Sequence, residues 1–344
     1  MADKVLVLVN LGSPDLPTPK AVGRYLREFL MDPQVIDKPF WLRALLVYGV
    51  IVPFRRRRSA LAYQKIWTEQ GSPLKVHTAA LAKAMQKELG PTWRVDWAMR
   101  YGSPSLDSLF QLLASEKPKE LLVLPLYPQE AKSSSGTVRL VVQKWAGRFQ
   151  GQVQVIEPFF SQKEFLDAYA AVIEQNWARQ SGDYLLFSFH GLPERHMRET
   201  DPGPGGCLQS AGCCEPLTAR NQHCYRAQCF ATAAQLAVRL GLQKDQWSVS
   251  FQSRLGREPW IQPFTDVVLP ELAKAGKRRV FVSCPAFVAD CLETVEEIGL
   301  RAKSEYEAMG GELTLLPSLN SSAEWVKRLA LALREDRWPK RPVE

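Results

Sequence analysis

The sequence predicts an α/β protein of two doubly wound lobes, and three of its features carry that expectation. Its strongest apolar runs, Val5 to Val9, Leu121 to Tyr127 and Tyr184 to Phe189, are continuous rather than alternating, as suits parallel strands covered on both faces. Runs of this kind lead, after a turn, into stretches with helical apolar spacing. The arrangement occurs both before and after Glu157 to Glu164, where the lobes are expected to meet, giving lobes 1–160 and 161–344.

In chain order, Val5 to Val9 reads as the first strand and Pro19 to Met31 as a helix with proline at its start. Thr78 to Leu89 carries a stripe of Ala79, Leu81, Ala82, Met85 and Leu89 and reads as a helix. Trp93 to Met99, Leu121 to Tyr127 and Val153 to Ile156 complete the first set of strands. In the second half the strands are Tyr184 to Phe189, "WSVSFQS" and Arg279 to Ser283, followed by "GGELTLLPSLN". Their helices are Cys229 to Leu240, one from about Cys291, and Ser322 to Leu333. No sequence repeat links the halves.

Composition narrows the function. Apolar residues make up 46% and charged residues 23% of the 344 residues, which excludes a disordered or collagen-like chain. Ten tryptophans, nine tyrosines and fifteen phenylalanines suit a flat apolar ligand, or simply well-filled cores. A formal charge of +8 permits attraction to acidic ligands or anionic membrane surfaces. No nucleic-acid-binding motif accompanies it. Neither GxGxxG nor GxxxxGK[ST] is present, which argues against common nicotinamide and ATP enzymes. The start, "MADKVLVLVNLGSP", lacks signal-peptide features, and no apolar run is long enough to span a bilayer, so a cytoplasmic location is expected.

Pro39 to Arg58 combines an apolar stretch, broken only by Arg43, with four consecutive arginines. It can be a buried helix before a basic turn, a lip over a ligand cleft, or a surface that rests on lipid. His190 follows an apolar strand, at the carboxyl end where open α/β sheets gather their active groups. His77, within a helical stretch, is expected to be structural. If Asp290 opens a helix, Asp290, Glu293 and Glu297 share one face and Glu296 turns away. Such a row repels itself unless it shares protons or passes a cation; otherwise Asp290 is an N-cap and the glutamates are solvated. Ser133 to Ser135 can nest a carboxylate or phosphate, or form a plain polar turn.

Five of the seven cysteines lie between Cys207 and Cys229: Cys207, Cys213, Cys214, Cys224 and Cys229. In a reducing cytoplasm clustered cysteines more often bind metal than form disulfides. Cys284 and Cys291 stand apart, near the acidic row, and are expected to pack.

Taken together, "LVNLGSP", "YLREFLMDPQVI", "MRYGSP", "LPLYPQ…SSSGT", "SFHGLPERH", "SFQSRLGREPWIQPFTD" and "CPAFVADCLETVEEIG" resemble the ferrochelatases across nearly the whole chain. The resemblance implies a chelatase fold of two similar Rossmann-like lobes with a porphyrin cleft between them. It implies a lyase of haem biosynthesis that inserts ferrous iron into protoporphyrin IX, giving protohaem and two protons. The alternatives are a related chelatase acting on another tetrapyrrole or metal, and a non-catalytic haem-binding protein.

The implied catalytic residues are His190, Glu293, Asp290 and Glu297, with His190 and Glu293 meeting the substrate iron. The implied substrate-binding residues are Asn10, Leu11, Arg100, Tyr101, Tyr127, Ser133, Ser134 and Ser135. Residues 39–58 resemble the family's hydrophobic lip, with peripheral membrane contact; the protein would be a monomer or homodimer. Relative to the resemblance, about 203–224 is an insertion, and four of its five cysteines, counting Cys229 just beyond, would hold a [2Fe–2S] cluster. Cys207, Cys214, Cys224 and Cys229 are the preferred set, with His223 an outside candidate and zinc the competing metal. The animal type's C-terminal cysteines have no counterpart here, and Lys132 stands where that type has its internal one.

Overall fold

The structure, a computed structural model, describes residues 3–200, 207, 208, 210, 212–254, 256 and 258–343; the 203–224 insertion therefore lies partly outside the described residues. Two compact units form. One comprises Met1–Tyr127, Ala131–Glu157 and Ala330–Glu344, and the other Pro128–Glu130 and Pro158–Leu329.

In the first unit, β1 (Lys4–Gly12), β2 (Trp93–Tyr101), β3 (Glu120–Pro125) and β4 (Gln152–Ile156) form a parallel sheet in the order β2-β1-β3-β4. Val5, Val7 and Val9 of β1 pack with Leu121 and Val123 of β3 and with Val138, Val142 and Trp145 of the next helix. Continuous burial of β1 from Val5 to Asn10 explains its unbroken apolar run, because helices cover both faces.

The second unit repeats this order. Its strands are β5 (Tyr184–His190), β6 (Trp247–Gln252), β7 (Arg279–Ser283) and β8 (Glu312–Leu315), paired in parallel as β6-β5-β7-β8. Val280, Val282, Leu313, Ile298 and Tyr306 share its core.

One expectation fails in part. The sequence reading assigned everything after 161 to the second lobe, yet residues 330–344 belong to the first unit. There β9 (Lys340–Pro342) pairs antiparallel with β4, and Val343 packs against the first core. A strand of three residues rich in charge and proline carries no apolar signature, which is why the sequence did not reveal it.

Among the described residues, three helical stretches have i→i+5 spacing: Leu45–Ile51, Lys132–Gly136 and Glu293–Ala302. All three fall in segments the sequence singled out for chemistry, and such wide turns recur at functional sites.

Candidate active site

In a parallel sheet of order 2-1-3-4, the chain leaves neighbouring strands toward opposite faces and opens a crevice at their carboxyl ends. In the second unit that point lies between β5, which ends at His190, and β7, which leads into the helix from Glu293. Topology alone therefore brings an imidazole toward a row of carboxylates.

The ring of His190 is half-buried, with Phe287 at a centroid distance of 6.2 Å. Its Nδ1 lies 2.5 Å from the Gly191 carbonyl oxygen. A carbonyl only accepts, so Nδ1 carries a proton, and in the neutral ring it is Nε2 that keeps its lone pair.

Gly191 N–H donates to the Gln252 carbonyl at 2.7 Å. A Cβ on residue 191 would sit 2.7 Å from that same oxygen, so only glycine permits the approach.

Gln252 itself is buried, and both ends of its side-chain amide are bonded. Nε2 donates to the Glu293 carbonyl at 2.7 Å, while Oε1 accepts from Ser188 Oγ at 2.6 Å and from the Cys284 thiol at 3.6 Å. One residue thus holds the backbones beside both His190 and Glu293.

Ser253, next along, adopts a left-handed φ of 67°. That costs a non-glycine residue backbone strain. The conformation lets its N–H donate to Glu297 Oε1 at 2.9 Å and its hydroxyl donate to Oε2. Burial nevertheless pushes the Glu297 carboxyl above the ordinary glutamate range, against the Ser253 hydrogen bonds and the nearby Arg301 charge.

Asp290 behaves differently from its expected partners. It precedes the helix, and its carboxylate accepts from Thr294 Oγ1 (3.0 Å), Asn320 Nδ2 (2.8 Å) and the Ser318 amide (3.3 Å). It anchors the start of the row from outside the helix, and among the described residues it caps no helix amide, so the N-cap alternative does not hold. Glu296 is buried, with Arg301 at 3.7 Å. Cys284 and Cys291 are both buried, and burial raises both thiols; Glu293 raises Cys291 further.

In the first unit, the end of β2 supplies Arg100 and Tyr101. Asp32, which the sequence reading missed, accepts from Arg100 (2.5 Å) and from the Tyr101 hydroxyl (2.9 Å). Arg100 Nε also donates to the Thr137 carbonyl at 3.3 Å, beside the serine turn. Burial raises the phenols of both Tyr101 and Tyr127. The buried Tyr127 hydroxyl has no hydrogen-bond partner among the described residues. An unpaired buried phenol costs about 1–3 kcal/mol unless a ligand satisfies it.

Ser133 to Ser135 lie in the wide turn that opens a helix; Ser135 Oγ is bound to Ala131, while Ser133 and Ser134 are half-buried. Asn10 turns inward, donating to Thr78 Oγ1 at 3.3 Å, and Leu11 beside it is half-buried.

The helical stretch from Phe40 leaves Phe40, Trp41 and Phe54 exposed at 70%, 68% and 79%. Arg43 instead turns in, donating to the Ile36 and Lys38 carbonyls. Among the described residues no helix is long and apolar enough to cross a membrane.

The cysteines form a chain of contacts rather than a finished cage. Cys213 and Cys214 Sγ lie 3.6 Å apart, and Arg226 Nη1 donates to Cys214 Sγ at 2.9 Å. The Cys224 thiol is lowered to about 6, chiefly by a hydrogen bond from Cys214, whose own thiol that bond raises. Cys229 is buried one turn into the helix that follows. No group of three His, Cys, Asp or Glu is assembled as a metal site among the described residues. His223 pairs with Glu130 at 3.0 Å.

The ferrochelatase family profile matches residues 3–337. The chain is 44% identical over 331 residues to a ferrochelatase of Coxiella burnetii (strain Dugway 5J108-111), spanning 94% of this chain and 91% of that one. It is 47% identical over 334 residues to a ferrochelatase of Pseudomonas putida (strain W619), spanning 96% and 98%. Among solved structures it is similar to SirB from Bacillus subtilis with Fe3+, at TM-score 0.55 and 10% identity over 96% of this chain and 94% of that one. A likeness at that identity speaks to the fold alone.

Proposed function

The chain belongs to the ferrochelatase family, and from that premise we infer that it inserts ferrous iron into protoporphyrin IX, giving protohaem and two protons. It is a lyase of haem biosynthesis. Ferrous iron is a substrate, and its oxidation state does not change.

The observation that best supports a role for His190 and Glu293 is their shared support. A single buried glutamine bonds the peptide after His190 and the carbonyl of Glu293. Two protons must leave the pyrrole nitrogens as iron gains four of them. His190 accepts one through Nε2, left available because Nδ1 donates to Gly191. Before insertion Glu293 and the His190 Nε2 lone pair meet the iron, a nitrogen and oxygen pair that suits a divalent first-row ion, and the lone pair takes the pyrrole proton only once the iron has left it for the ring nitrogens. Glu297, its carboxyl raised by burial, holds a proton at a pH where a solvated glutamate would not, and so passes protons outward. Asp290 keeps the row in place through Thr294 and Asn320.

Tyr127 binds the macrocycle through its unpaired hydroxyl, with Arg100, Tyr101, Ser133, Ser134 and Ser135 around it and Asn10 and Leu11 along the approach. The exposed Phe40, Trp41 and Phe54, followed by four arginines, suit peripheral contact with an anionic membrane, consistent with a cytoplasmic enzyme.

The insertion supplies the sulfur donors that a [2Fe–2S] cluster takes, with Cys224 lowered by its bond with Cys214 while Cys214 and the buried Cys229 are raised, and an arginine on Cys214. Cys207, Cys214, Cys224 and Cys229 would hold it, with Cys213 the spare. When bound, the cluster cross-links the segment after His190. Matched iron and acid-labile sulfide with charge-transfer absorption is the expected outcome; stoichiometric zinc would refute it.

Anaerobic, ferrous-iron-dependent loss of protoporphyrin fluorescence tests the main assignment. Porphyrin binding without iron insertion would overturn it in favour of a haem-binding protein.

A further inference from the structure

Between the cysteine-bearing segment and the base lies one buried side chain that the mechanism has not used. Tyr225 opens the helix Tyr225–Arg239, directly after Cys224. Its ring is buried, and its hydroxyl donates to the His190 carbonyl at 2.8 Å.

That carbonyl belongs to the peptide unit whose N–H, on Gly191, is held by Gln252 at 2.7 Å. A planar peptide moves as one body. With its C=O fixed from one helix and its N–H fixed from β6, it has no remaining freedom to rotate. The Gly191 carbonyl that receives Nδ1 of His190 follows directly from this unit. A tilt here would therefore misplace the acceptor that sets the tautomer and direction of the imidazole.

We propose that Tyr225 is a positioning residue for His190, and that through it the cysteine-bearing segment fixes the orientation of the base. This rests on the reading of His190 as proton acceptor. Tyr225 touches neither porphyrin nor iron in this role; it acts by holding one peptide plane.

Tyr225→Phe keeps the ring and removes only the hydroxyl. In the holoenzyme the turnover number should fall about tenfold, the effect of one buried hydrogen bond. KM for porphyrin should stay unchanged. With only four histidines, 15N-histidine labelling gives a second readout. The His190 imidazole should change from one Nδ1–H tautomer to an exchange-averaged signal.

Unchanged turnover with an unchanged tautomer would overturn the proposal. So would a loss that merely follows falling thermal stability or lost visible absorption. His190→Ala separates the two layers. If that variant is inactive while Tyr225→Phe is normal, only the positioning role fails; if His190→Ala turns over normally, the base assignment fails and the positioning role with it.

Discussion

The two units share one strand order, yet they put different chemistry at corresponding places. Where β1 ends in Leu11 and Gly12, β5 ends in His190. Where β2 ends in Arg100 and Tyr101, β6 ends in Gln252 and leads into Ser253. After the third strand each unit opens a wide helical turn: hydroxyls at Ser133 to Ser135 in one, carboxylates at Glu293 and Glu297 in the other. A common scaffold fixes where functional groups can stand, and local sequence decides what they do. The first unit presents groups that hydrogen-bond and hold. On the proposed function, the second presents groups that exchange protons and meet a cation.

That division makes a kinetic prediction, whose largest effects should lie in the second unit. His190→Ala should reduce the turnover number by about 10²- to 10⁴-fold, and Glu293→Gln by a similar order. Porphyrin affinity, followed by fluorescence titration, should change little in either. A variant that loses porphyrin and keeps turnover would erase the distinction between units.

A smaller effect of opposite character is expected in the first unit. Tyr127→Phe removes a buried hydroxyl that has no partner among the described residues and that the proposed function pairs with porphyrin, so KM for porphyrin should rise about five- to tenfold with turnover nearly constant. Steady-state kinetics against porphyrin concentration separates the two parameters.

The third test concerns stability. Burial raises the folded-state pKa of Glu297 above its ordinary 4.5. The folded protein therefore holds this proton more tightly than the unfolded chain, and stability is lost as pH rises from 4.5 through the raised value. Glu297→Gln has no such loss. Its melting temperature relative to the parent should climb across that window and be flat below it, as calorimetry at stepped pH would show. A constant difference would mean the carboxylate is solvated.

The smallest effect on chemistry belongs to the exposed helix. Replacing Phe40, Trp41 and Phe54 with serine should weaken sedimentation with anionic vesicles while leaving turnover within about twofold. Unchanged sedimentation would make the patch irrelevant to lipid.

Much of this was legible in the sequence because parallel strands buried on both faces write long apolar runs. Tyr184 to Phe189 and Arg279 to Ser283 are instances, and the structure extends the first only by His190. His190 itself was legible because it follows such a run. Asp32 and Tyr225 were not. Each acts through a partner far along the chain, at separations of 68 and 35 residues, and hydrogen bonds of that reach leave no local periodicity. Gln252 was visible as the polar end of a strand, but its bond to the Glu293 carbonyl depends on how β6 meets the wide helix. The bond between Asp290 and Asn320 hid for the same reason.

The antiparallel strand β9 has a practical consequence for anyone wishing to divide this enzyme. A cut after Glu157 would strip β4 of its outer neighbour and leave an open row of amides and carbonyls, an invitation to pair with other copies. The amino-terminal fragment alone should precipitate, whereas a peptide matching 330–344, added in trans, should keep it dispersed. Fusions and tags are better hung from exposed loops than built into that closing edge.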